Sequence, residues 1–190
     1  MYDSSLGDIP YTLDPDLGRP SGFTNKANFD EWYRDVPGVN LSTAITLTVQ
    51  YDAVDGLYRY SDVDNFPDGY FPIDDQLFGD SAANPDHNYH FTTQMKGTFI
   101  YEGTAGQMFK YKGDDDVWVF VNGQLVIDLA GTHMPAEQYI HMDRLGLSDG
   151  DEYTLDFFHA ERQTNGSRFE FTTNFLMTDA LLPSVSAVFD

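Results

Sequence analysis

The fold of this 190-residue chain is decided by the stretch GDDDVWVFVNGQLVIDL, residues 113–129. The five residues that follow the three aspartates, 117–121, are all β-branched or aromatic, which is typical of a buried strand. Asn122-Gly123 is the strongest short signal for a two-residue hairpin, so residues 124–129 are predicted to return as the partner strand. The stretch therefore predicts a rigid β-hairpin with an acidic cluster at its mouth.

Three consecutive carboxylates, those of Asp114, Asp115 and Asp116, carry like charges that repel one another. An ordered loop gains from holding them together when a cation neutralises them. Oxygen ligands suit a hard cation, and Ca²⁺ fits better than Mg²⁺ because it accepts about six to eight oxygens in irregular geometry. The alternative is a solvated acidic turn without a metal. The rigid strands on either side favour the metal site.

The composition excludes several classes of partner and chemistry. The net charge of −21 argues against binding to nucleic acid or to an anionic membrane surface. The chain contains no cysteine, which excludes disulfides and cysteine-ligated zinc. No apolar run approaches the length of about 18 residues that a membrane span needs, so no membrane insertion is expected.

The rest of the chain predicts one domain over residues 1–190, with an irregular arm at 1–22 and a tail of little pattern at 177–190. Residues 25–36 carry apolar side chains at helical spacing and end at Pro37-Gly38, so they predict one short helix. Residues 61–88 are acidic and rich in Pro and Gly but also contain aromatic residues, which predicts a long loop packed onto the domain.

Several short strands are predicted around this helix and loop. Residues 44–51 alternate between apolar and polar side chains, which indicates a half-buried strand. Similar patterns predict further strands at 57–60, 89–93, 97–101, 107–111, 153–161 and 168–176. Many short strands with a single helix indicate an all-β protein, an antiparallel β-sandwich with long packed loops.

The chain closely resembles the fibro-slime domain, a branch of the PA14 (anthrax protective antigen-like) superfamily, over about residues 25–175. The resemblance is carried by motifs in the same order, which are FDEWYRDVPGVN (29–40), FPIDDQLFG (71–79), HNYHFT (87–92), GDDDVWVFVNGQLVIDLAGTH (113–133) and FFHAERQTNGSRFEFTT (157–173). It implies a β-sandwich. Many PA14 domains are calcium-dependent glycan-binding modules on adhesins, flocculins and glycosidases, and others are structural only.

The resemblance also implies metal ligands in the acidic cluster. Asp114 and Asp115 fall on the paired aspartates that, in the lectin members, are joined by a cis peptide and chelate Ca²⁺ through both side chains. Asp116 stands where the family pattern has glycine. This departure leaves a second register open, in which Asp115 and Asp116 form the chelating pair.

A second loop completes the calcium shell in those lectins with one side-chain oxygen and two carbonyl oxygens. Alignment on Gly166 places these ligands at Glu161, Gln163 and Asn165. The family's usual side-chain ligand is Asn or Asp, so an ion pair between Glu161 and a neighbouring arginine, Arg162 or Arg168, is the alternative for this residue. Asp116, Gln163, Thr164 and Asn165 are expected to contact the ligand.

These expectations point to a calcium-dependent carbohydrate-binding domain of a secreted or cell-surface adhesin. The partners would be glycans, and the domain would be part of a larger multidomain protein. The alternative is a calcium-stabilised structural module of an extracellular matrix or slime protein with no ligand of its own.

Enzyme activity is not expected from this sequence. Adjacent aspartates on one turn cannot flank a glycosidic bond at the separation of about 5–9 Å that hydrolysis needs. His133 and His159 are predicted to be structural or to support other ligands from behind, and the alternative is a zinc site formed by them together with Asp residues.

Overall fold

The computed structural model describes residues 26–62, 69–81, 86–131, 133–162 and 166–188. Within these ranges the elements are α1 (Lys26–Glu31), β1 (Asn40–Ala44), β2 (Gln50–Asp52), β3 (Leu57–Ser61), β4 (Phe91–Ile100), β5 (Met108–Gly113), β6 (Asp116–Val121), β7 (Gln124–Leu129), β8 (Ala136–His141), a 3₁₀ helix (Met142–Leu145), β9 (Glu152–Glu161), β10 (Phe169–Thr173) and β11 (Thr178–Val188). The predicted arm at 1–22 lies outside the described residues.

The strands form two sheets. One has six strands in the order β1-β11-β4-β9-β6-β7, and the other has five in the order β2-β3-β10-β5-β8. Neighbouring strands in each sheet are antiparallel. This architecture confirms the predicted all-β antiparallel sandwich with one short helix. No helix among the described residues has the length and hydropathy that a membrane span requires.

The main core lies between the two sheets and is strongly aromatic. Alternate side chains of each strand point inward, as the period of two requires. Phe109 of β5, Phe157 of β9 and Phe169 of β10 are all completely buried. Truncating a buried aromatic side chain to alanine typically costs about 3–5 kcal/mol, so these rings are a large part of the stability.

A second apolar cluster covers part of the outer face of the six-stranded sheet. The helix α1 and the turn after it pack there against alternate residues of β6 and β9. The cluster consists of Phe29, Trp32, Trp118, Phe120, Phe158 and Ala160. Trp118 is therefore a buried packing residue of this cluster.

The predicted hairpin is confirmed. Val121 of β6 pairs with Gln124 of β7, and Asn122 and Gly123 both have positive φ, at 49° and 74°. This is the conformation that a type I′ turn requires, and asparagine and glycine tolerate it best.

Three element predictions were wrong in their bounds. The helix ends at Glu31 instead of continuing to residue 36. Residues 45–49 pair with no strand in the described part of the chain, although Ile45 and Leu47 still pack against the core. The two strands predicted at 89–93 and 97–101 form the single strand β4, because Gly97 stays paired with Leu155 and does not break it.

β1 shares only Ala44 with the strand predicted at 44–51, and β8 and β11 lie where no strand was predicted. β11 occupies most of the predicted tail at 177–190 and pairs with both β1 and β4. Its pairing with β4 shifts register between Leu181 and Ser184, on either side of Pro183, which has no N–H to donate. This irregularity hides the strand from a search for simple alternation.

The long loop between β3 and β4 packs onto the domain as predicted where it is described. Tyr70 and Ile73 are buried and belong to the main core. Tyr70 is also tied to the end of β10, because its N–H donates to the Ser167 carbonyl at 3.0 Å. The loop therefore lies against the end of the sandwich at which β10 begins.

Candidate metal and ligand site

The acidic cluster lies where the chain crosses from one sheet to the other. β5 belongs to the five-stranded sheet and ends at Gly113, and β6 belongs to the six-stranded sheet and begins at Asp116. Asp114 and Asp115 are the two residues of this crossing. A cis peptide bond joins them, so the cis bond falls in the first of the two registers that the sequence left open.

Asp114 is fixed by the backbone at the start of β10. Its side-chain Oδ1 accepts a hydrogen bond from the Arg168 N–H at 2.7 Å, and its own N–H donates to the Arg168 carbonyl at 3.2 Å. Its carbonyl accepts a hydrogen bond from Nε2 of His159 at 2.8 Å. Burial raises the pKa of the Asp114 carboxyl to about 6, although the Arg168 N–H opposes the rise.

Asp115 is more deeply buried, with 1% of its surface exposed. Its Oδ1 accepts a hydrogen bond from the His133 N–H at 3.2 Å. Its Oδ2 is buried and has no hydrogen-bond partner among the described residues. Burial raises the pKa of this carboxyl as well, against the lowering effect of the hydrogen bond from His133. The Oδ2 atom of Asp115 is therefore available to a further hydrogen-bond donor or to a cation.

Asp116 differs from its two neighbours because both of its carboxylate oxygens are used inside the protein. Oδ1 accepts a hydrogen bond from the Gly131 N–H, and Oδ2 accepts one from Nε of Arg162 at 2.7 Å. The side chain is fully buried on the outer face of the six-stranded sheet. The expected contact between Asp116 and a ligand has no support in this position.

Glu161 is the last residue of β9 and is 1% exposed. It pairs in register with Phe91 of β4, and the preceding residue, Ala160, pairs with Asp116 of β6. Glu161 therefore lies at the same end of the sandwich as the two aspartates. Of the two arginines considered as its ion-pair partners, Arg162 pairs with Asp116, and Arg168 pairs with Glu170 at 2.5 Å.

Gln163, Thr164 and Asn165 lie outside the described residues, so their predicted roles stay predictions. The residues on either side of them, Arg162 and Gly166, are described. In the described part of the chain, no three His, Asp or Glu side chains are grouped so that they could hold a metal ion. The two aspartates therefore form at most part of a metal site, and further ligands would have to come from elsewhere.

The two histidines near the cluster have structural contacts. His159 is completely buried among aromatic rings, including Tyr70 and Phe169, and burial lowers its pKa to about 4, so it is neutral at pH 7. The His133 ring contacts the carbonyls of Leu129 and Met134 at 2.9 and 2.8 Å. Both histidines contact the acidic cluster, His159 through its ring and His133 through its backbone N–H. A structural role for both was predicted, but the groups they contact depend on the folded backbone and have no signal in the sequence.

Comparison with known proteins identifies the family. The model of the PA14 domain matches residues 43–187. The chain belongs to the PA14 family. PA14 domains are modules of the carbohydrate-binding and adhesin type, and the resemblance seen in the sequence is confirmed.

Among similar proteins are three from Dictyostelium discoideum. Protein psiJ is 38% identical over 164 residues, which cover 79% of this chain and 22% of that protein. Protein psiR is 39% identical over 79% of this chain and 16% of its own length, and protein psiC is 34% identical over 81% and 30%. The PA14 domain described here thus spans less than a third of each of these relatives.

Solved structures similar to this PA14 domain include the PA14 domain of the MpAFP antifreeze protein. It is 14% identical, with 70% of this chain and 77% of that chain covered and a TM-score of 0.34. A β-glucosidase from Kluyveromyces marxianus is 15% identical over 50% of this chain and 12% of that chain, with a TM-score of 0.33.

Proposed function

We propose that this PA14 domain is a calcium-dependent carbohydrate-binding module of a secreted or cell-surface adhesin. The observation that carries the proposal is the pair Asp114–Asp115 at the crossing between the sheets, in which the buried Oδ2 of Asp115 has no partner among the described residues. In this account the domain is a non-catalytic part of a larger protein. The small share of each relative that the chain spans supports that context.

A divalent cation fits the chemistry of this pair. Burying a carboxylate without a counter-charge is costly, and two adjacent carboxylates also repel each other. The ion pair that the Arg162 side chain forms is with Asp116, the third aspartate. Ca²⁺ takes carboxylate and carbonyl oxygens in irregular geometry, and it is the hard cation that such a pair favours.

The proposed ligands are the side chains of Asp114 and Asp115, together with Glu161 and carbonyl oxygens of Gln163 and Asn165. Ca²⁺ held in this way would supply coordination positions that two neighbouring sugar hydroxyls can take in place of water. The side chains of Gln163, Thr164 and Asn165 would donate and accept hydrogen bonds that orient the sugar. Asp116 is left out of this set because both of its oxygens bond inside the protein.

One observation favours the second candidate, a structural calcium module without a ligand. Asp115 and Glu161 are each only 1% exposed, so an ion bound between them would be largely enclosed by protein. An enclosed ion would stabilise the crossing between the sheets but would leave few positions for sugar hydroxyls. The two candidates therefore differ in the number of open coordination positions.

A glycan array with the wild-type domain and with the double variant Asp114→Asn/Asp115→Asn separates these accounts. Neutral amides keep the side-chain shape but lose the charge that holds a divalent ion. The expected result is binding of the wild type in Ca²⁺, with binding lost in EDTA and lost in the double variant. Sugar binding by the double variant in EDTA would contradict the calcium-bridged mechanism.

Two further outcomes decide between the remaining possibilities. If the wild type binds calcium but no glycan on a broad array, the structural module is favoured. Replacing Thr164 or Gln163 should change which sugar binds while leaving calcium affinity unchanged, because these side chains are proposed to contact the sugar. Unchanged sugar preference in both variants would count against this loop as the specificity loop.

A further inference from the structure

The third aspartate of the cluster has a role that the first two do not share. Asp116 replaces the glycine of the family pattern, and its Oδ2 accepts a hydrogen bond from Nε of Arg162 at 2.7 Å. The Arg162 side chain is 8% exposed and the Asp116 side chain is fully buried. A charge-assisted hydrogen bond shielded from water in this way fixes the direction of the guanidinium group more firmly than an exposed ion pair does.

The Arg162 guanidinium also lies against an aromatic ring. Its central carbon is 5.0 Å from the centroid of the Trp32 ring, a cation–π contact. Trp32 follows α1 and is held by Phe29, whose ring is 5.3 Å away, within the outer apolar cluster. The Arg162 side chain is thus held between a carboxylate and an indole ring.

The segment that supplies Trp32 precedes the residues that the PA14 model matches. That model covers residues 43–187, and α1 and the following turn come before it. The next residue, Tyr33, packs its ring against Phe158 of β9 with a centroid distance of 5.0 Å. This N-terminal segment therefore contacts β9 through Tyr33 and the Arg162 side chain through Trp32.

Arg162 also lies next to the candidate site in the chain. It directly follows Glu161, the last residue of β9 and a proposed calcium ligand. Ala160, two residues before Arg162, pairs with Asp116 of the neighbouring strand β6. The side-chain bond to Asp116 therefore fixes the end of β9 against the start of β6, beside the Asp114–Asp115 pair.

We propose that Arg162, held by Asp116 and Trp32, is a positioning residue that fixes the end of β9, and with it Glu161, beside the Asp114–Asp115 pair. This inference rests on the proposed calcium site. In this account Asp116 does not bind metal or sugar. It orients Arg162, and Trp32 braces the same side chain from the turn after α1. Calcium affinity then depends on residues that never contact the ion.

The test compares calcium affinity with stability in three folded variants. Asp116→Asn removes the charge that orients Arg162, Arg162→Gln removes the guanidinium, and Trp32→Leu removes the aromatic face. Each is expected to weaken calcium binding about tenfold or more in a calorimetric titration. Arg162→Lys should restore little of the affinity, because lysine has no planar fork with which to hold its direction.

Arg168→Gln is the matched control. Arg168 is an arginine at the other end of the same loop, and its side chain pairs with Glu170 at 34% exposure. Its contact with Asp114 is made by the backbone N–H, which the substitution retains. The expected change in calcium affinity is less than about threefold.

A second measurement needs no metal. Trypsin can cleave after Arg162, and in EDTA we expect cleavage at this bond to be about five times faster or more in Asp116→Asn and Trp32→Leu than in the wild type. Mass spectrometry of the fragments distinguishes this bond from the one after Arg168. A packing role without positioning would lower the melting temperature but leave calcium affinity unchanged.

The outcomes separate the two proposals. If the wild type binds calcium and folded Asp116→Asn and Trp32→Leu bind it equally well, the positioning role is wrong and the calcium site stands. If the wild type binds no calcium, the proposed function and this inference both fail. If one variant does not fold, the other still decides, because the two remove different contacts of the same side chain.

Discussion

The crossing between β5 and β6 and the turn before β9 are both rich in aspartate, but they place their carboxylates differently. In the crossing, Asp115 and Asp116 are buried, and burial raises the pKa of both carboxyls. In the turn, Asp149 and Asp151 are exposed, and Gly150 takes the positive φ of 81° that the turn needs. Water solvates the carboxylates of Asp149 and Asp151. The carboxylates of Asp115 and Asp116 are shielded from water, so their charge has to be stabilised by protein groups or by an ion.

The difference shows that a run of acidic residues does not by itself indicate a metal site. The run has to lie where the fold buries its carboxylates. The crossing is two residues long and joins two sheets, so its side chains are enclosed by β9 and β10. The turn lies at the surface, where Asp149 accepts a hydrogen bond from the Gly103 N–H at 2.7 Å. We expect this contrast in burial to be matched by a contrast in calcium binding.

The largest effect is expected from removing both charges of the crossing. Asp114→Asn/Asp115→Asn should weaken calcium binding at least a hundredfold, which corresponds to about 2.8 kcal/mol, because neutral amides do not hold a divalent ion. Calorimetric titration of wild type and variant measures the effect. An affinity within a factor of about three of the wild type would place the calcium elsewhere.

Removal of calcium should lower the thermal stability of the wild type. A ligand that binds only the folded state stabilises it by about 2.7 kcal/mol at a hundredfold excess over its Kd. For a domain of this size that corresponds to a fall in Tm of about 5–11 °C on adding EDTA. Differential scanning calorimetry with and without chelator tests this, and identical melts would exclude a stabilising calcium site.

Asp62 offers a test of burial apart from the crossing. Its Oδ1 accepts a hydrogen bond from the Phe169 N–H at 3.1 Å, and burial raises its pKa to about 7. The pKa of Asp62 in the folded protein therefore lies above its unfolded value of about 3.9. Its stabilising contribution to the free energy of unfolding is fully present below about pH 4 and is lost as the pH rises towards about 7.

The variant Asp62→Asn should therefore gain stability relative to the wild type as the pH rises from about 4 to 7. Urea unfolding of the two proteins across this range, in EDTA, measures the difference between their free energies of unfolding. A difference that is independent of pH would show that the carboxyl is ionised in the folded protein throughout this range.

The smallest effect is expected in the exposed turn. Asp149→Asn/Asp151→Asn removes two carboxylates, as the double variant of the crossing does, but from a solvated position. The change in free energy of unfolding should stay within about 0.5 kcal/mol per residue, and calcium affinity should be unchanged. A large loss of calcium affinity in this variant would show that long-range charge, rather than the crossing, attracts the ion.

The sequence was sufficient to predict those elements whose signal lies in neighbouring residues. The run Val117–Val121 with Asn122-Gly123 predicted the strand, the hairpin and the position of the acidic cluster at its mouth. The alternation of β9 was also local and was predicted within one residue. In each case a period of two or a dipeptide with strong turn preference determines the backbone without help from distant residues.

The sequence was insufficient where partners are distant in the chain. Asp116 is bonded to Arg162, 46 residues away, and Trp32 approaches that arginine from the opposite end of the chain. Backbone donors such as the Arg168 N–H have no sequence signature at all, because every residue except proline carries one. β11 was missed for a related reason, since its irregular pairing appears only against β4.

The most direct test is a crystal structure of the domain grown in millimolar calcium, with anomalous scattering used to locate the ion. The account predicts an ion bound by carboxylate oxygens of both Asp114 and Asp115 at about 2.3–2.6 Å, with at least one further position held by water that a sugar hydroxyl can replace. A well-ordered crossing without an ion at saturating calcium would contradict the account. An ion whose every position is filled by protein would favour the structural module.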